Sequence, residues 1–133
     1  MDETFSNLYS KKVIDHVRHP RNMGFIKNAD GVAMVGNPVC GDIMKFYIKV
    51  EKKNNDTFIK DVKFQTLGCG AAIATSSMMT VLVKGKELSK AGEISKNAII
   101  EALGGLPPAK IHCSVLADVG LKKAIKNYQS KNK

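Results

Sequence analysis

Apolar and polar positions alternate twice in the first half of the chain, and then the alternation stops. Met44, Phe46, Ile48 and Val50 interleave with Lys45, Tyr47, Lys49 and Glu51. A period of two marks a half-buried strand. A second run puts Phe58, Val62 and Phe64 on one face and Asp61, Lys63 and Gln65 on the other. Asn54-Asn55-Asp56 lies between the runs and supplies turn residues, so together they predict a β-hairpin. Gly31 to Val35 reads as a further short strand. It closes on the turn residues Gly36-Asn37-Pro38, and Cys40 follows on a loop ending at Gly41. Ahead of the strands, Ser10 is placed to cap a short helix through Val13, Ile14 and Val17, which Pro20 ends.

After Gly70 the spacing becomes helical. Ala71 to Val83 reads as a mostly buried helix with Met78 and Met79 as core filler and Gly85 as its stop. A helical turn follows near Leu88. A helix from Lys96 to Leu103 comes next, capped by Ser95 and ended by Gly104-Gly105. Leu106-Pro107-Pro108 is a stiff connector. A last helix runs from about His112 toward Gln129, with Val115, Leu116, Leu121 and Ile125 facing inward and Gly120 as a weak point. A helix, then strands, then helices predicts an α+β fold, a small antiparallel β-sheet with helices packed on one face. There is no repeat or linker, and residues 1–133 read as a single domain.

Charge adds a bias without naming a function. The net charge is +9, and from Leu121 onward there are five lysines and no acid. A basic surface attracts nucleic acid, acidic proteins or anionic membranes. No RNP-type aromatic motif or zinc-finger spacing supports nucleic acid. No apolar run approaches the ~20 residues of a membrane span. Met1 to Ser10 carries Asp2 and Glu3 and has no apolar stretch, so a cytoplasmic location is the expectation.

The three cysteines carry the chemistry. They stand in Val39-Cys40-Gly41-Asp42, Gly68-Cys69-Gly70 and Ile111-His112-Cys113-Ser114. An odd number of widely spaced cysteines argues for reduced thiols rather than a disulfide framework. Soft thiolates select iron, iron–sulfur clusters, zinc or Cu(I). Cys69 and Cys113 fall near predicted helix N-termini, which favour the thiolate, and Lys110 adds a nearby cation. Gly68 and Gly70 let backbone N–H groups approach a bound anion or sulfide. Asp42 or His112 supplies a fourth ligand. Structural zinc sites usually draw on C-x₂₋₄-C pairs, and this chain has none. Each ligand therefore comes from a different segment, and the site depends on the fold.

Three stretches make the pattern specific. They are Gly36-Asn37-Pro38-Val39-Cys40-Gly41-Asp42, Thr66-Leu67-Gly68-Cys69-Gly70 continuing through Ser77, and Leu106-Pro107-Pro108-Ala109-Lys110-Ile111-His112-Cys113-Ser114. Together with Tyr9 to His16 and Pro20-Arg21-Asn22-Met23-Gly24, they resemble the iron–sulfur cluster assembly scaffold family. This is the IscU type, equivalent to the N-terminal domain of NifU. The resemblance implies a non-enzymatic scaffold that takes persulfide sulfur from a cysteine desulfurase. With iron and electrons it builds a transient 2Fe–2S cluster, which it passes to apo iron–sulfur proteins. It implies Cys40, Cys69 and Cys113 as cluster ligands and Cys113 as persulfide acceptor. Asp42 is then the labilising ligand, His112 an alternative ligand and Lys110 an accessory residue. Ferredoxin, a frataxin-like protein and an Hsp70-type chaperone are implied partners, and zinc is an implied occupant of the cluster-free site. The other reading is a zinc-containing persulfide acceptor that builds no cluster. Two departures stand out. Ala109 replaces the valine of the family's chaperone-binding stretch. Asp118-Val119 stands where many members have an acidic pair.

Overall fold

A computed structural model describes residues 9–37 and 42–131. Its elements run in the order α1 (Lys11–Arg18), β1 (Gly31–Asn37), β2 (Asp42–Lys53), β3 (Asp56–Leu67), α2 (Gly70–Val83), α3 (Leu88–Ala91), α4 (Lys96–Ala102) and α5 (Ile111–Lys131). A 3-10 turn at Pro108–Lys110 precedes α5. The strands form one antiparallel sheet in the order β1-β2-β3, and the helices pack on one face of it. The expected α+β architecture is what forms.

The hairpin register explains the core. Asn54 and Asn55 both adopt positive φ, the conformation of a tight two-residue turn whose twist matches the strands. Asp42, Met44, Phe46 and Ile48 all point to the helical face and are buried. β3 departs from strict alternation. Lys49 pairs with Asp61 but Val50 pairs with Ile59, so Lys60 is an extra residue on its strand. This bulge flips the inward set. Ile59 is fully buried with Val62 and Phe64, and Phe58 is only half-buried, contrary to the expectation that it shares their face.

α2 is the central helix. Ala71, Ala72, Ala74, Met78 and Met79 are buried, together with Thr75, Ser76, Ser77 and Thr80. Thr75 and Thr80 return their hydroxyl hydrogens to the backbone carbonyls of Ala71 and Ser77. α1 lies against α2, and Ser77 Oγ stands 2.7 Å from His16 Nδ1. Ser10 caps α1 by accepting from the Val13 N–H and donates to the Leu103 carbonyl, which ties α1 to the end of α4. Ser95 caps α4. α2 and α4 stop at Lys84 and Leu103, each just before a glycine.

α5 crosses β1 and β2 more closely than its sequence suggests. Gly120 is buried, and a Cβ there would meet Phe46 Cε2 at 2.4 Å. The glycine that reads as a weak point is the place where helix and sheet touch. The inward side of α5 is Cys113, Ala117, Gly120, Leu121, Ala124, Ile125 and Tyr128. Leu121 and Ile125 face inward as expected. Val115 does not, and is 37% exposed.

Candidate metal and sulfur centre

Four predicted residues meet at one end of the sheet. Asp42 opens β2, and the strand alternation turns its carboxylate inward with Met44 and Phe46, leaving it 5% exposed. Cys69 is the N-cap of α2, and His112 and Cys113 lie in the first turn of α5. His112 Nε2 stands 2.7 Å from Asp42 Oδ2, and the Cys69 backbone N–H donates to Asp42 Oδ1 at 3.3 Å. Cys113 Sγ lies 3.8 Å from Asp42 Oδ2, 3.6 Å from His112 Nε2 and 4.0 Å from Cys69 Sγ. The two sulfurs are far beyond a disulfide bond length of about 2.05 Å, and both cysteines are free thiols. Cys40, with Gly41, lies outside the described residues.

Electrostatics divide the groups. Burial pushes the Cys113 thiol well above its ordinary range, and the neighbouring charges of Cys69 and Asp42 push it further. The shift is upward, where the position near a helix N-terminus predicts a lowered pKa. A bound cation reverses such a balance, because a coordinating thiol gives up its proton. Burial also raises the Asp42 carboxyl. Hydrogen bonds from His112 and the Cys69 N–H outweigh that, and the carboxyl titrates below its usual value. Lys110 is raised, chiefly by the charge of Cys69, which puts its ammonium beside that sulfur.

The donor set suits a soft or borderline metal. Ligand atoms around a tetrahedral zinc, with bonds of about 2.0 to 2.3 Å, stand roughly 3.3 to 3.8 Å apart. The 3.6 and 3.8 Å separations of Cys113 from His112 and Asp42 match, and the sulfur–sulfur separation of 4.0 Å is close. The 2.7 Å His112–Asp42 pair is too short for both to bind one ion. One of them must turn away, or they must part, when a metal enters.

One contributor was missed from sequence, and another was read too narrowly. Tyr9 is half-buried near the site, and its phenol is raised by burial and then by the charge of Cys69. Nothing in the spacing marks it, because it is sixty positions away. Gly68 does more than admit a backbone N–H. A Cβ there would stand 2.5 Å from Asp42 Oδ1 and 3.0 Å from Ala72 Cβ. The missing side chain lets the carboxylate reach the Cys69 N–H. Beside the site, on the outer face of the sheet, Leu67 and Met34 are 71% and 64% exposed.

This fold, with a thiol, carboxylate and imidazole site at one end of a three-stranded sheet, defines the class. Residues 8–133 match the NifU-like N terminal domain, and the chain belongs to that family. It is 57% identical over 125 residues to the iron-sulfur cluster assembly scaffold protein IscU 1 of Archaeoglobus fulgidus, covering 94% of this chain and 79% of that protein. It is 52% identical over 126 residues to the iron-sulfur cluster assembly scaffold protein IscU of Escherichia coli strain K12, covering 92% and 95%. The N-terminal part of a NifU-like protein from Brucella abortus shares the fold. That structure has a TM-score of 0.69 at 17% identity, over 97% of this chain and 99% of that one.

Proposed function

We propose that this chain is a scaffold on which iron and sulfide are assembled into 2Fe–2S clusters, and that residues 1–133 form the single domain that does so. The cluster is its cargo, and the chain acts as a carrier rather than an enzyme. The observation that carries this reading is the convergence of Asp42, Cys69, His112 and Cys113 from three separate segments. A site gathered in this way opens when one segment moves, which suits a protein that must release what it builds. The relatives named above as assembly scaffolds support the same reading.

Cys40, Cys69 and Cys113 hold the cluster, and the fourth position belongs to Asp42 or His112. Their hydrogen bond means that recruiting either one frees the other. Sulfur arrives as a persulfide on a cysteine desulfurase. Binding of a metal ion takes the proton from Cys113, and the thiolate attacks the outer sulfur; the donor's S–S bond breaks as the new one forms, and the donor leaves as a thiolate. No net oxidation occurs in that step. Conversion to sulfide takes an electron pair per sulfur from a ferredoxin-class donor. Lys110 offsets thiolate charge. The Asp42 carboxylate is a harder, weaker ligand for the cluster than a thiolate and keeps it labile. Apo iron–sulfur proteins receive the cluster. A frataxin-like protein and an Hsp70-type chaperone are further partners, the latter meeting Ala109 in its binding stretch. Zinc fits the cluster-free site. Among the described residues no helix is long and apolar enough to cross a membrane. A reducing cytoplasm suits the free thiols.

Anaerobic incubation with iron, a cysteine desulfurase and cysteine tests this. A chromophore carrying acid-labile sulfide is expected, and Cys113→Ser should lose the captured persulfide in mass spectra of the intact protein. Persulfide on Cys113 with no sulfide-containing chromophore would overturn the scaffold reading in favour of a zinc-containing sulfur acceptor.

A further inference from the structure

Beyond His112, the outward side of α5 carries a stripe that the assembly chemistry leaves unused. His112, Val115, Val119, Lys122 and Lys126 recur at helical spacing on one side of α5, with Lys123 beside them. All are solvent-accessible. The His112 side chain is 41% exposed, and Val115 and Val119 are 37% exposed each. The stripe is about 20 Å long at 1.5 Å per residue. Its two halves differ, with valines beside the site and lysines beyond them.

The nearby acid neutralises only one lysine of the basic half. Asp118 is turned inward, its side chain 16% exposed, and it pairs with Lys122 at 2.8 Å. Lys123 and Lys126 make no ion pair among the described residues. Val119 holds the place where the resembling family often has a second acid, so this chain exposes an apolar side chain there instead of a carboxylate.

We propose that this stripe is the docking track for the sulfur donor, which meets it with an acidic face around an apolar centre. The proposal rests on the scaffold reading above. A second copy of the chain, with its net charge of +9, would bring a basic surface to a basic track. The donor is the partner that must reach Cys113, whose residue is fully buried. His112 Nε2 stands 3.6 Å from Cys113 Sγ, and His112 begins the stripe. A partner lying along α5 covers His112, the stripe residue that stands against Cys113.

The test uses the full chain and the purified cysteine desulfurase of the same organism. Affinity is measured by fluorescence anisotropy at about 50 mM and about 300 mM salt. The wild type should bind more weakly at high salt. Lys123→Glu with Lys126→Glu should weaken binding about tenfold or more at low salt and flatten the salt dependence. Lys123→Gln with Lys126→Gln should weaken it less, which keeps the test valid if the charge reversal disturbs the helix. Val119→Asp should cost about three- to tenfold. Loading with iron and inorganic sulfide, which needs no donor, should be unchanged in every variant. Donor affinity within about twofold of wild type in both lysine variants would overturn the proposal. A loss confined to an apo-protein recipient would also overturn it. If the wild type builds no cluster from iron and sulfide, the scaffold reading falls, and the docking proposal then stands or falls on donor affinity alone.

Discussion

Two histidines in this molecule each stand 2.7 Å from a polar side chain, and they do opposite things. His16 is 6% exposed, between α1 and α2, and meets the Ser77 hydroxyl. That hydroxyl also accepts the Arg21 N–H at 2.9 Å, so it is held from both sides. The arrangement is closed, because each partner satisfies the other within a packed interface. His112 is half-buried and meets a carboxylate that also serves Cys69 and stands near Cys113. That arrangement has surplus donor atoms and faces solvent. Distance alone does not separate a structural histidine from a candidate ligand; the partner and the unused coordination do.

Replacing each histidine should break the symmetry most sharply. His16→Ala empties a buried site and leaves the Ser77 hydroxyl without its imidazole partner. It should destabilise the fold by roughly 2 to 3 kcal/mol. His112→Ala should cost less than about 1 kcal/mol, since the side chain is substantially exposed. The ranking should reverse for zinc or iron affinity, where only His112→Ala has a direct effect. Urea titrations and competitive metal binding on both variants check this. Equal destabilisation would mean that the His112–Asp42 pair is also a structural latch.

Acid should expose the same contrast. Burial depresses the His16 pKa below its ordinary value, the Arg21 charge adds to this, and Asp15 opposes it weakly. The unfolded chain therefore takes up the proton first as pH falls. The contribution of neutral His16 to stability is complete above about pH 6.5, the unfolded value. It is lost as pH falls from there through the folded value. Thermal melts of wild type and His16→Gln between about pH 8 and pH 5 should show a steeper decline in the wild type. Parallel curves would remove His16 as the source.

How much of this was legible beforehand depended on whether neighbours in sequence or across the fold decided the outcome. The β2 alternation and the caps at Ser10 and Ser95 are local, and each formed as read. The bulge at Lys60 has no local signature, so the inward place went to Ile59 instead of Phe58. On α5 the inner side is built from small residues, Cys113, Ala117, Gly120 and Ala124, because the helix lies close against Phe46. Hydrophobicity alone therefore pulled Val115 inward and made Gly120 look weak. At the site, the motifs named residues that do come together, Asp42, Cys69, His112 and Cys113. The bond between His112 and Asp42 spans seventy positions, and only the meeting of β2 with α5 creates it.

Asp42 and Gly68 give the finest version of the comparison. Asp42→Ala removes the hard oxygen ligand and its polar path for water. An assembled cluster should then outlive the wild-type one severalfold, followed by decay of its visible absorbance. Gly68→Ala should act in the same direction and more weakly. Its new Cβ would sit 2.5 Å from Asp42 Oδ1, and the carboxylate must shift away from the Cys69 N–H. Losing that hydrogen bond should cost about 1 kcal/mol of stability. The carboxylate stays present, displaced but able to reach the cluster, so the gain in lifetime should be smaller than for Asp42→Ala. In the double variant Gly68→Ala adds no further lifetime, because its effect runs through a carboxylate that is no longer there. An additive gain would show that Gly68 acts on Cys69 directly rather than through Asp42.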